Sequence, residues 1–166
     1  ASPGLEILAA FRLMPGSSAD DVMRLADAGV PSGKYYPDGA TTNSSGGLSD
    51  WRRIGGAQGA MEERGMVLCV HGEDPSVSVL DREEAFLPVF REMRKEFPRL
   101  KMILEHVSTA AGAAMVANDP GPTAATVTVQ HLFYTLDDLI GASMNPHLFC
   151  KPVVKSARDR SAIREA

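Results

Sequence analysis

The sequence predicts an α/β fold, a partial TIM-like (β/α) barrel of about five parallel strands alternating with helices. Three observations carry that prediction. Short apolar runs end in potential metal ligands at three places: Ser32-Gly33-Lys34, Met66 to Val70 before His71, and Lys101 to Glu105 before His106. The ligands fall 37 and 35 residues apart, which suits one strand plus one returning helix and sends all three side chains to the same end of neighbouring strands. No G-x-G-x-x-G or G-x-x-x-x-G-K-[ST] loop follows a strand, which disfavours the alternative of an open doubly wound sheet.

The elements follow in order. Leu5 to Leu13 is apolar enough for a buried strand, and Pro15-Gly16 ends it. Ser18 to Asp21 has capping-box spacing, Val22, Leu25 and Ala26 share a helix face, and Gly29 stands at the C-terminal cap. The next strand delivers Lys34. Residues Pro37 to Asp50 form a mobile loop rich in Gly, Ser, Thr and Asn, too small in its side chains to bury a face. A helix runs from about Asp50 to Arg64 and stops at Gly65, and Val67 to His71 is the following strand. Phe86, Leu87, Phe90, Met93 and Phe97 recur at helical intervals between Asp81 and Phe97, although Pro88 is awkward for an interior turn. Met102 to Val107 reads as a strand. Ser108 or Thr109 caps an Ala-rich helix to Asn118, Ala124 to Val129 is a β-branched strand, and Ser156 to Ala166 is a helix with Ser156 and Asp159 at cap spacing.

Composition narrows the functional classes. The chain has 166 residues, 44% hydrophobic and 23% charged, as in an ordinary globular protein. A closed eight-stranded barrel takes about 250 residues, so part of one is expected here. A net charge of -4, with Lys and Arg scattered among Asp and Glu, offers no stripe for nucleic acid. Neither a membrane span nor a secretory signal is expected. Cys69 and Cys150 are too few for a disulfide scaffold, which points to a reducing compartment such as the cytoplasm.

The chemistry of the three ligands has two readings. Neutral imidazoles are good zinc ligands, and two at adjacent strand ends can share an ion. Each is also a common hydrogen-bonded structural residue. Lys34 is an ordinary ion-paired lysine or, if CO2 converts its amine to a carbamate, an anionic bridge between metals. Glu73, just beyond His71, reads as a loop carboxylate. Glu105 is expected to point away from the face His106 uses, because strand neighbours alternate.

The runs GKYYPDGATTNSSGG (33 to 47), VHGE (70 to 73), DRE (81 to 83), LEHVST (104 to 109), ATVTVQHL (125 to 132) and NPHLFCKPVVK (145 to 155) closely resemble dihydroorotases of the shorter, bacterial-type class. They occur in family order over nearly the whole chain. The resemblance implies one amidohydrolase-like domain over residues 1 to 166, lacking the first two strands and the last strand of the full barrel. It implies interconversion of N-carbamoyl-L-aspartate and L-dihydroorotate in pyrimidine synthesis, a small-molecule substrate and a homodimer. Lys34 matches a carboxylated lysine bridging two zinc ions, and His71 and His106 match ligands of the second zinc. Thr41 and Thr42 match a loop that closes over the substrate and bonds its carboxylate, and the backbone at Lys151 matches a contact to the pyrimidine ring.

Departures from the family pattern are specific. No H-x-H occurs, the family's general-base Asp would fall beyond Ala166, and the arginine and asparagine that receive the substrate carboxylate have no counterpart. Phe11-Arg12-Leu13-Met14-Pro15 replaces a more polar strand end, and Gly46-Gly47 replaces Ser-His-Gly. His131 and His147 are expected to be structural or to support the ligands. Two alternatives stand beside dihydroorotase: another cyclic-amide hydrolase such as a hydantoinase or dihydropyrimidinase, and a non-catalytic structural or interaction subunit.

Overall fold

The computed structural model describes residues 4–42 and 44–166; Asn43 of the polar loop lies outside them. Five strands, β1 (Ala10–Arg12), β2 (Ser32–Tyr35), β3 (Val67–Val70), β4 (Lys101–Leu104) and β5 (Thr123–Ala125), form one sheet. Their order is β1-β2-β3-β4-β5 and every pair is parallel. Strand order that follows chain order is that of a barrel wall, whereas a doubly wound sheet reverses at a switch point.

Seven helices accompany the strands among the described residues: α1 (Ala19–Asp27), α2 (Gly55–Glu63), α3 (Arg82–Glu96), α4 (Ala110–Ala117), α5 (Val129–Phe133), α6 (Leu136–Ile140) and α7 (Ala157–Glu165). Several begin where their side chains cap them. Ser18 with Asp21, and Ser156 with Asp159, close reciprocal capping boxes, and Thr109 accepts the Gly112 amide. A 3-10 turn, Trp51–Ile54, leads into α2 and buries Trp51 and Ile54. In α3 the periodic face of Phe86, Leu87, Phe90 and Met93 is buried. Pro88 sits on the opposite, exposed side, and the helix continues through it.

Alternation along the strands decides which side chains reach the site. In β2 and β3 every second residue is buried, with Tyr35, Leu68 and Val70 in the core beside Met102 and Leu104 of β4. The other row, Lys34, Cys69 and Ile103, faces the concave side of the sheet and is partly open. No helix among the described residues is long and apolar enough to cross a membrane.

Both ends of the sheet correct the sequence reading. The expected strand from Leu5 shrinks to Ala10–Arg12, and Leu5, Ile7 and Leu8 are 62%, 75% and 70% exposed, because β2 offers partners only from Ser32 onward. The expected strand Ala124 to Val129 ends at Ala125. Past Leu104 the neighbouring chain turns, so Thr128 adopts an N-cap conformation and Val129 opens α5 in spite of its β-branched side chain. The polar loop is also less open than expected. It buries Ala40, Ser44 and Leu48, and it closes on itself through Leu48 N–H to the Tyr36 carbonyl at 2.9 Å.

Arg94 on α3 ties three elements together from a nearly buried position. It donates to the carbonyls of Leu100 (2.7 Å) and Phe97 (3.1 Å) and to the Thr123 hydroxyl (2.7 Å), and it pairs with buried Asp119 at 3.2 Å. Removing it strands a buried carboxylate and the carbonyls of Phe97 and Leu100. Arg94→Ala is expected to lower the unfolding free energy by about 3 to 5 kcal/mol in urea titrations monitored by circular dichroism.

Candidate functional site

Lys34, His71 and His106 come together on the concave side of the sheet at its C-terminal edge. Lys34 lies level with Cys69, and Cys69 with Ile103. Counting from that row, His71 is two residues further and stays on the same face. His106 is three residues beyond Ile103, so a straight strand would turn it to the other side. The chain instead leaves β4 at Leu104, and His106 takes φ +46°, which brings its ring back to His71. The two rings meet edge to face with centroids 4.7 Å apart, and His71 Nδ1 lies 3.0 Å from His106 Nε2.

The same count explains an error in the sequence reading. Glu105, two residues beyond Ile103, belongs to the open face, and its carboxylate contacts the Lys34 ammonium. Alternation put Glu105 and His106 on opposite faces, and it fails there because the strand has already ended at Leu104. Glu73, to which no role was given, is fully buried and accepts a hydrogen bond from His71 Nε2 at 2.8 Å. The V-H-G-E spacing held that signal: a carboxylate two residues on from a strand-end histidine can fold back onto its ring.

Electrostatics in the cluster follow from burial. Desolvation pushes the His106 imidazole down to about 3, with His71 and Lys34 adding in the same direction. Desolvation also pushes the Lys34 amine down to about 8; the Cys69 thiol works against that shift, as does the Glu105 carboxylate that favours the charged amine. Glu73 holds the His71 proton on Nε2, so Nδ1 presents its lone pair toward His106. Two nitrogens on one tetrahedral zinc are separated by roughly 3.3 Å, close to the spacing seen. The donor set therefore fits a shared cation. Among the described residues no three His, Cys, Asp or Glu side chains form a metal-ligating group.

The residues expected to meet the substrate, Thr41, Thr42 and Lys151, gather separately. Ser44 Oγ accepts the Thr41 amide at 2.9 Å and donates to the Thr41 carbonyl at 2.6 Å, fixing the turn that carries Thr41; Thr42 is exposed. Lys151 Nζ donates to the Ala40 carbonyl at 3.2 Å, and Arg82 donates to the same oxygen at 3.4 Å. The loop and the segment around Lys151 thus meet at Ala40. Tyr36 links the loop to the histidines, its ring 5.8 Å from that of His71 and 5.0 Å from Lys34 Nζ. His131 is buried with both nitrogens engaged, by the Thr128 hydroxyl at 2.7 Å and the Pro152 carbonyl at 3.0 Å, while His147 is exposed.

Glu83 of the D-R-E run anchors the turn that bears His106. Its two oxygens accept the backbone and hydroxyl donors of Ser108 and Thr109 at 2.5 to 2.9 Å. Burial pushes its carboxyl up, and those hydrogen bonds oppose the shift. A Cβ at position 112 would collide with Glu83 Oε1, so Gly112 leaves room for the carboxylate.

No protein-family model matches the sequence. The dihydroorotase of Leptothrix cholodnii is 43% identical over 157 residues, which is 93% of this chain and 46% of that protein. The crystal structure of a Saccharomyces cerevisiae dihydroorotase in complex with 5-fluoroorotic acid matches with a TM-score of 0.89 and 36% identity, covering 97% of this chain and 49% of that one. An L-hydantoinase (dihydropyrimidinase) from Arthrobacter aurescens matches with a TM-score of 0.79 at 18% identity, a likeness of fold alone. Fold and strand-end site define a segment of an amidohydrolase-type (β/α) barrel. Within that class the chain is homologous to the dihydroorotases, and it spans about half the length of the curated relatives it matches.

The His106 environment makes stability depend on pH. Unfolded His106 titrates near 6.5 and folded His106 near 3, so between those values the unfolded chain binds more protons and stability falls as pH drops. Urea midpoints measured from pH 7 to pH 4 are expected to fall less steeply for His106→Asn than for the unsubstituted chain.

Proposed function

We propose that the chain is the metal-ligand and substrate-loop portion of a dihydroorotase, which hydrolyses the cyclic amide of L-dihydroorotate to N-carbamoyl-L-aspartate and re-forms it. The observation that carries this reading is the convergence of Lys34, His71 and His106 at one end of three adjacent parallel strands, in a chain homologous to dihydroorotases. Zinc-dependent catalysis in a soluble, cytoplasmic homodimer belongs to the same reading, as does a single domain lacking barrel strands at either side.

In this reading His71, His106 and a carboxylated Lys34 would hold zinc. Zinc would supply Lewis-acid polarisation of the ring amide and acidify a water. The chain's own residues prepare for that. Glu73 fixes the His71 tautomer, and burial keeps His106 neutral and able to ligate. Burial shifts the Lys34 amine toward the neutral form, the one that adds to CO2. Thr41 and Thr42 offer hydroxyls to the substrate carboxylate from a compact loop. The Lys151 backbone meets the pyrimidine ring while its side chain holds the loop at Ala40. Identity of 36 to 43% with dihydroorotases, against 18% with the hydantoinase, favours dihydroorotate over hydantoins as substrate.

Zinc titration by calorimetry tests the ligand set. The unsubstituted chain is expected to bind zinc, and His71→Ala and His106→Ala are each expected to weaken binding at least about tenfold. Absence of binding, or binding indifferent to both substitutions, overturns the reading. Lys34 has its own test: with zinc and 13C-bicarbonate, a carbamate carbon resonance is expected in the unsubstituted chain and is expected to vanish in Lys34→Arg.

A further inference from the structure

His106 is the sole non-glycine residue with positive φ among those described. Left-handed backbone is unfavourable for a side chain with a Cβ and persists only where surrounding contacts over-determine it. Those contacts lie on both sides of His106. Across from it, Thr126 is bonded three times to the chain leaving β4. The Thr126 amide donates to the Leu104 carbonyl at 3.1 Å, its hydroxyl accepts the His106 amide at 2.8 Å, and its carbonyl accepts the Val107 amide at 2.9 Å. After it, Ser108 and Thr109 are held by four hydrogen bonds to Glu83, which is 2% exposed.

The two anchors differ in kind. The main-chain bonds of Thr126 continue the β4–β5 ladder, which any residue could do. Its hydroxyl takes the amide that the left-handed turn removes from the ladder. Without that acceptor the His106 amide has no reason to stay turned inward. Relaxation to ordinary extended backbone would return the ring to the far face, where the strand count places it.

We propose that Thr126 is a positioning residue: its side-chain hydroxyl, working against the Glu83 anchor, holds His106 in the left-handed conformation that aims Nε2 at His71. The hydroxyl touches no reacting group and acts only through His106. The consequence for metal affinity rests on the ligand reading above, whereas the consequence for backbone geometry does not.

The test uses Thr126→Val, which keeps shape and removes the hydroxyl, and Thr126→Ser, which keeps the hydroxyl. Thr126 is exposed, so both are expected to fold, and Thr126→Ala serves if the valine chain does not. Amide hydrogen exchange is measured on the metal-free chain, and zinc affinity by calorimetry. In Thr126→Val the His106 amide is expected to exchange at least about tenfold faster while the amides of Leu68 and Val70 in β3 keep their rates, and zinc is expected to bind at least about tenfold more weakly. Thr126→Ser is expected to restore both. Unchanged His106 exchange in Thr126→Val overturns the proposal, and so does faster exchange with unchanged zinc affinity. Exchange that quickens equally across β3 and β4 also overturns it, because that marks a general loss of stability. If the unsubstituted chain binds no zinc, the ligand reading fails, and the exchange comparison still decides whether the hydroxyl holds the turn.

Discussion

Parallel pairing of β2, β3 and β4 is the constraint on which the rest depends. Strands that run in step must end in step, so residues chosen at one level of the sheet become neighbours whatever their distance in sequence. Lys34, Cys69 and Ile103 form that level. His71 and Glu105, each two residues further, inherit its open face, and a carboxylate is therefore delivered against the Lys34 amine. His106 is the exception that the turn corrects. The site thus combines two mechanisms of placement, one set by the sheet and one by a single unfavourable backbone conformation.

Much of this architecture was legible in the sequence because it rests on local rules. Capping pairs at Ser18 and Asp21 and at Ser156 and Asp159 are written at fixed spacing, and the α3 face repeats with the helical period. The meeting of Lys34, His71 and His106 followed from intervals of one strand plus one helix. What failed was anything decided by a neighbour's length. Leu5, Ile7 and Leu8 are apolar yet exposed, since β1 has partners only from Ala10. Val127 and Val129 favour strands yet leave the sheet, since β4 has turned away. Glu105 was assigned the wrong face for the same reason, and Glu73 was underrated because nothing local distinguishes a loop carboxylate from one folded back onto an imidazole.

Burial shapes the chemistry as much as position does. Removing His106 from water keeps its ring uncharged, and lowering the Lys34 amine brings its neutral form within reach of ordinary pH. Glu73 and Glu105 partner the buried groups, one by accepting a hydrogen bond from His71 Nε2 and the other by meeting the Lys34 charge. Three basic side chains, Lys34, His71 and His106, and two acidic ones, Glu73 and Glu105, are thereby packed at one strand edge.

The first turn of α3 has a wider reach than its position on the outside of the sheet suggests. Arg82 grips the Ala40 carbonyl in the polar loop, and the very next residue, Glu83, grips Ser108 and Thr109 beyond His106. Opposite walls of the concavity are consequently ganged to one rigid rod. A slide of that rod would carry both walls together, so the distance between loop and imidazoles is guarded by two neighbouring side chains of one helix.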